Sequence, residues 1–154
     1  MAESELFKTS LSKSMSLCSQ REYCCSDIRE KLHSWGIGNA DAEKIISILI
    51  KEKFIDEERY SLAFVKDRFK HNKWGKMKIS AHLRAKSIPG EIIRSALGSI
   101  EDELYRETVK EILISHRKSI KAKNQYDLKG KLLRYGLSKG FESGLLYDLL
   151  NDLD

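Results

Sequence analysis

The chain has little that would break or staple a backbone. Pro89 is its only proline, and nine glycines are spread over 154 residues. With so few breakers among many Leu, Ile, Lys and Glu residues, helices are favoured. No alternating run bounded by turn residues competes as a strand. The cysteines, Cys18, Cys24 and Cys25, are odd in number and form no C-x-x-C pair. No histidine follows them at finger-like spacing, since His33 is too close and has no companion. A disulfide framework and a zinc finger are therefore disfavoured, and reduced thiols in a cytoplasmic protein are expected. No apolar run approaches the roughly 18 residues of a membrane span. The opening MAESELFKTS has neither the basic start nor the apolar stretch of a signal peptide. A soluble, cytoplasmic chain without membrane contact is expected.

Catalytic signatures are missing as well. There is no G-x-x-x-x-G-K-[ST] loop, Lys129-Gly130-Lys131 being a fragment without the loop, and no G-x-S-x-G, H-E-x-x-H or Asp/Gly calcium loop. His33, His71, His82 and His116 share no ligand spacing. The acidic run Asp56-Glu57-Glu58 reads as a helix start, where carboxylates cap free N–H groups and oppose the positive dipole end. These absences predict a binding protein with no enzymatic activity, no cofactor and no metal.

What the chain does have is clustered positive charge. The formal net charge is +5, but Met1–Glu57 carries 8 basic and 10 acidic residues, whereas Glu58–Ile100 carries 10 basic and 3 acidic. In the remainder, all ten bases lie between Arg106 and Lys139. A positive middle between acidic ends attracts polyanions, nucleic acid foremost; a merely solvated Lys/Arg surface is the plain alternative.

A repeat organises these charges. Ile28, Leu32 and Ile37, then Ile79, Leu83 and Ile88, then Leu128, Leu132 and Leu137 each follow apolar-x3-apolar-x4-apolar, with Gly36, Ser87 or Gly136 before the last residue. The starts recur about every 50 residues. An i, i+4 apolar pair marks one helix face, the Gly or Ser ends that helix, and the following Ile or Leu folds back as a stop. A second helix then begins. In the first copy Asn39 or Asp41 could cap it, above a stripe of Ile45, Ile46, Leu49 and Ile50. In the second, Pro89 suits the first turn, above Ile92, Ile93, Ala96 and Leu97. In the third, Ser138 precedes Phe141, Leu145, Leu146 and Leu149.

A longer helix precedes each pair. The first spans roughly residues 10–20 with Leu11, Met15 and Cys18 or Leu17 inward. The second spans roughly 57–71 with Asp56 as N-cap and Ala63 and Phe64 inward. The third spans roughly 103–117 with Leu104, Val109, Ile112 and Leu113 inward. The expected fold is all-α: three tandem three-helix repeats, 1–55, 56–100 and 101–154, in an elongated, curved solenoid.

Candidate contact residues lie mainly in the second repeat: Arg68, Lys70, Lys73, Trp74, Lys76, Lys78, Arg84 and Lys86. The cations suit phosphates, and Trp74, in an inter-helix loop, either stacks on an unpaired base or packs to close the turn. Lys118, Lys121 and Lys123 occupy the matching loop of the third repeat, so the two loops are expected along one edge. No set of side chains is built for base-specific readout.

Three segments resemble the RecX family across nearly the whole chain. Arg21, Cys24, Asp27, Ile28, Lys31 and Leu32 resemble its R-x-x-S-x-x-E-L-x-x-K-L signature. Phe54-Ile55-Asp56-Glu57-Glu58-Arg59-Tyr60 resembles its aromatic-[IL]-D-[DE]-x-R-[FY] segment. Phe64, Val65 and Arg68, then Gly75, Lys78, Ile79, Leu83 and Lys86-Ser87-Ile88, resemble [FW]-V-x-x-R…G-x-x-[KR]-I-x-x-x-L-x-x-K-G-I. Cys24 departs from the usual Ser, Asp27-Ile28 from Glu-Leu, and Ser87 from Gly; the third repeat matches by pattern alone. The resemblance implies a regulatory protein of tandem three-helix repeats. Such a protein binds the groove of the RecA–single-stranded-DNA filament and restrains ATP hydrolysis, strand exchange and co-protease activity. A monomer is expected, with the RecA filament and single-stranded DNA as partners and duplex DNA as a further ligand. A sequence-tolerant DNA-binding protein acting without RecA is the alternative, and a helical scaffold indifferent to DNA a third.

Overall fold

The structure, a computed structural model, describes residues 4–153. Nine helices and no strand are found among them: α1 Glu5–Gln20, α2 Cys25–Ser34, α3 Asn39–Lys51, α4 Glu57–Asn72, α5 Lys76–Ala85, α6 Gly90–Leu97, α7 Asp102–Arg117, α8 Gln125–Ser138 and α9 Ser143–Asn151. Helix–helix packing is concentrated within α1–α3, α4–α6 and α7–α9. The accessible surface is 9532 Å² for 17.7 kDa, about a fifth above the roughly 7,900 Å² of a compact monomer of that mass. The surplus is the surface a row of helical units leaves uncovered.

Each unit closes its second helix the same way. Gly36, Ser87 and Gly140 take positive φ, at 89°, 60° and 90°. The next residue's N–H reaches back to a carbonyl five residues earlier: Ile37 to Leu32, Ile88 to Leu83, Phe141 to Gly136. This is the left-handed helix ending, with the apolar residue folded into the core. In the third unit it lies one turn later than the repeat predicts. Gly136 does not end α8; it lies inside the last turn, where a Cβ would collide with the Leu146 side chain. Leu137 consequently points outward, 47% exposed, and Phe141 takes the buried stop position. Close packing of α8 on α9 occupies Gly136, and Gly140 ends the helix.

Other expectations need correction. Helix α1 begins five residues earlier than expected, because Ser4 caps it by accepting from Phe7 N at 3.0 Å. Its buried line is Phe7, Ser10 and Ser14, flanked by half-buried Leu11, Met15, Leu17 and Cys18. The two serines fit because they allow close approach, Ser14 Oγ donating to Ser10 O at 2.8 Å. Neither Asn39 nor Asp41 caps α3; its N-cap is Gly38. Ile50 is 49% exposed rather than part of the α3 stripe, and Leu104 is likewise outward. Both sit at the edge of their helix's apolar arc. Ala63 is also exposed; Tyr60, Ser61 and Val65 line the buried face of α4.

The apolar interior divides unevenly. Unit one has its own cluster around Ile28, Leu32, Ile45 and Leu49. Units two and three share a single cluster that runs from Val65, Ile79 and Leu83 to Leu113, Leu132, Phe141 and Leu146. Their joint is backbone on backbone. Gly75 N donates to Lys139 O at 2.6 Å and Met77 N to Gly140 O at 2.9 Å. Lys76 N donates to the Tyr105 hydroxyl at 3.0 Å, and that hydroxyl donates to Glu142. The free N–H groups at the start of α5 are thus satisfied by the third unit, and α5 has no side-chain cap of its own.

Two substitutions separate these uses of glycine. Gly140→Ala puts a Cβ into the Lys78 backbone at a positive φ and should cost more than about 3 kcal/mol of unfolding free energy. Ser87→Gly relieves a left-handed residue on an exposed turn and should add about 0.5–1 kcal/mol. Denaturant midpoints measure both.

Candidate functional site

The candidate residues do not form one patch; the structure sorts them into three settings. Arg68, Trp74 and Lys78 come together on the outer face of unit two. Trp74 opens a line that Lys78 and His82 continue at four-residue spacing along α5. The half-buried Trp74 ring lies 4.5 Å from the His82 ring and 6.3 Å from Phe64, centroid to centroid. Lys78 Nζ is 4.8 Å from its centre and the Arg68 guanidinium 5.3 Å, with Arg68 also 4.9 Å from Phe64. Cations over aromatic faces are attracted by the ring quadrupole. The ring is therefore already engaged by the protein, and a base would have to displace one of these cations. Arg68 Nε is buried without a partner among the described residues. Phe64 and His82 were not among the sequence candidates; the spacing of Trp74, Lys78 and His82 was the available signal for His82.

Lys70 and Lys73 belong to a second setting, the hollow where α4 faces α7. Lys73 is the left-handed C-cap of α4, φ 58°, and turns the chain so that Trp74 N reaches Arg68 O at 3.1 Å. It lines the same depression as His116 and Ser119, which brings the α4–α5 loop beside the α7–α8 loop. Lys118, Lys121 and Lys123 are exposed in that second loop. Its backbone is held by Lys131 Nζ on Lys121 O at 2.6 Å and by Lys123 N on Asp127 at 3.1 Å. Arg84 is exposed on α5.

The third setting is structural. Lys86 Nζ lies 2.6 Å from Asp27 Oδ1, tying unit two to unit one. Lys76 is half-buried over the Tyr105 ring at 4.6 Å, with Asp102 at 3.9 Å. Both cations are partly spent inside the protein. Burial works against ionising Asp27, but Lys86 and the Cys24 N–H outweigh it and hold the carboxyl below its ordinary range. Around the same joint Glu57 accepts from Cys25 N at 3.1 Å, and Arg59 pairs with Glu22 at 2.5 Å. Burial pushes the Cys24 thiol up to about 11 and the Cys25 thiol up to about 12, so both are protonated and poorly reactive near neutral pH.

Electrostatically, α5 is unusual. Its first turn holds Lys76 and Lys78 and no acid, although the positive end of a helix dipole disfavours cations. Lys78 and Lys139 also face each other closely enough that burial first, and Lys78 second, depress the Lys139 ammonium. Lys139 Nζ is held by Asn72 O at 2.9 Å. Lys70, Lys73, Arg84 and Lys118 have no carboxylate in ion-pair reach among the described residues. No group of three His, Cys, Asp or Glu side chains is placed to hold a metal ion among the described residues, and no helix there is long and apolar enough to cross a membrane.

Nine helices packed as three-helix units, with cations clustered in the second and third, define a helical-repeat protein. Comparison with known proteins agrees in class. Residues 56–97 match the family model "RecX, second three-helix domain". Regulatory protein RecX of Clostridium acetobutylicum is 32% identical over 132 residues, which cover 82% of this chain and 60% of that protein. Regulatory protein RecX of Clostridium beijerinckii is 29% identical over 145 residues, 93% of this chain and 67% of that one. The fold is similar to a crystal structure of regulatory protein RecX, with TM-score 0.86 and 23% identity over 96% of this chain and 72% of the other. RecX from Lactobacillus salivarius superposes with TM-score 0.84 at 21% identity, covering 97% of each chain. The chain belongs to the RecX family, and it spans about three-fifths of the length of the C. acetobutylicum relative.

The Asp27–Lys86 pair gives a test of the joint. A carboxyl held below its unfolded value stabilises the fold above that value, near 3.9, and the contribution is lost as pH falls through the folded value. In Lys86→Met the Asp27 carboxyl should titrate higher by NMR, stability near neutral pH should fall, and the loss of stability on acidification below about 3.9 should shrink.

Proposed function

We propose that this chain is a regulatory protein that binds the RecA–single-stranded-DNA filament and lowers RecA's ATP hydrolysis, strand exchange and co-protease activity. It does so as a monomer and without catalysis of its own. The observation that carries the reading is the start of α5. Lys76 and Lys78 stand against the helix dipole there, beside Arg68 and Lys139. Lys76 is offset by Asp102 and the Tyr105 ring, but Lys78 and Lys139 face one another with no ion-paired carboxylate among the described residues, an arrangement that a polyanionic partner relieves. The relatives' name supports the regulatory role, and a row of three units suits a repetitive, filamentous partner.

Units two and three form the contact face in this reading, through Lys70, Lys73, Lys78, Arg84, Lys118, Lys121 and Lys123. Arg68 and Trp74 hold Lys78 in place. Lys76 and Lys86 contribute field more than contact, because each already has a carboxylate partner.

Titrating the protein into a RecA ATPase assay on single-stranded DNA should suppress hydrolysis at less than one copy per RecA subunit. Unchanged hydrolysis at clear excess would overturn the proposal. Lys78→Ala then locates the partner. If Lys78 meets phosphate, affinity falls for filament and naked strand alike and the log–log salt slope drops by about 1. If it meets acidic side chains of RecA, only the filament affinity falls.

A further inference from the structure

The unit-three face formed by α8 and α9 carries a feature that neither the fold nor the basic face of unit two explains. Tyr126 is 89% exposed and Tyr147 56% exposed. Both line one hollow of about 420 Å³, floored by Leu133 and Leu150 and edged by Arg134. Tyrosine commonly sits with its ring against apolar neighbours and its hydroxyl in water; a ring as open as Tyr126 has no packing role to justify it.

Between Tyr126 and Arg134, one turn from each, stands Gly130. Glycine inside a helix costs about 1 kcal/mol relative to alanine. The other glycine within α8, Gly136, is explained by Leu146, into which a Cβ would collide. Gly130 has no such reason: a Cβ there would meet only Arg134 Nη1, at 3.5 Å. Its φ is not in the left-handed region either. What the missing side chain does accomplish is to leave space in the hollow that Tyr126 and Tyr147 also line.

We propose that this hollow is a binding site for unpaired bases of single-stranded nucleic acid. Tyr126 and Tyr147 offer ring faces, Gly130 gives room for a base to approach the helix, and Arg134 faces the backbone phosphates. The rings suit any base, since every base has a π-face. Charge follows the same path. Lys121 and Lys123 are exposed in the turn that leads directly into Tyr126, and that turn is pinned by Asp127, which accepts from Lys123 N and pairs with Lys131 at 3.2 Å. Asp127 is thereby neutralised locally, and its carboxyl is held below the ordinary range by those same groups. The strand would pass from the loop lysines onto the tyrosines. The site deepens the filament reading by assigning a direct DNA contact to the third unit, but it can be tested without RecA.

The test is binding of a labelled single-stranded oligothymidine to the full chain across a salt series. Tyr126→Ala and Tyr147→Ala should each weaken binding roughly 5- to 150-fold with an unchanged salt slope, because a stacking ring and no charge is lost. Tyr126→Phe should retain most of the affinity. Gly130→Leu, which adds a side chain to the helix surface and removes no charge, should weaken binding comparably by filling the floor. Arg134→Gln should instead reduce the slope by about 1. Duplex binding should be indifferent to both tyrosines. If the tyrosine and Gly130 variants bind the oligonucleotide normally, or the wild type does not bind it, the site is not a base site. If those variants lose affinity only for the RecA filament, the hollow receives a protein segment, and the base assignment falls while the filament reading stands. Suppression of RecA hydrolysis, measured on the same variants, can fail independently of the oligonucleotide result.

Discussion

Gly75 and Gly140 touch backbone to backbone, and much of the molecule's second half is arranged around that approach. The contact places Lys139 O and Gly140 O opposite the free N–H groups that open α5. It requires α8 to run past Gly136 to Ser138, so that the chain reverses at Gly140 and buries Phe141. It seats Tyr105 where its hydroxyl bridges Lys76 N and Glu142. Burial of that phenol, reinforced by Glu142, raises its pKa, so it remains a neutral donor and acceptor. Neither glycine tolerates a Cβ there. Because α5 is capped by another unit rather than by its own Ser or Asp, its first turn is free to carry lysines.

How the motif residues divide between joints and surface follows from the same geometry. Asp56 caps α4, accepting from Glu58 N and Arg59 N at 3.0 Å each, while Arg59 reaches Glu22 and the Lys53 carbonyl. Asp27 accepts from Cys24 N at 3.4 Å and pairs with Lys86. Thus the R-x-x-C-x-x-D and D-E-E-R segments, together with the lysine of K-S-I, chiefly describe how units one and two meet. Gly75 describes how units two and three meet. Exposed cations such as Lys70 and Lys118 belong to none of the resembling segments.

Most helices were legible because their signals are local. An i, i+4 pair such as Ile79 and Leu83, or a capping Asp56 before Glu57, acts within a turn or two. The misreadings share one cause, competition from contacts distant in sequence. Gly136 looks like a helix end until Leu146 packs against it. Ile50 and Leu104 look buried by spacing, yet the packed structure leaves both exposed. In the candidate site, charge drew attention to units two and three, but no sequence pattern distinguishes Lys78, lying over Trp74, from Lys86, pairing with Asp27 across 59 residues. Gly130 passed as an ordinary helix residue because its lack of a structural purpose appears only when its surroundings are known.

The two joints between units differ in kind. Units two and three share one apolar interior and interlocked backbone, a connection that salt barely affects and whose deformation would open a packed core. Unit one keeps a separate interior and is fastened mainly by Asp27–Lys86, Glu22–Arg59 and Glu57 on Cys25 N, with Cys24 as its apolar link into the shared core. Dissolved ions screen the charge pairs that fasten unit one and leave the packed interior of units two and three untouched, so rising ionic strength loosens one end of the molecule and not the other.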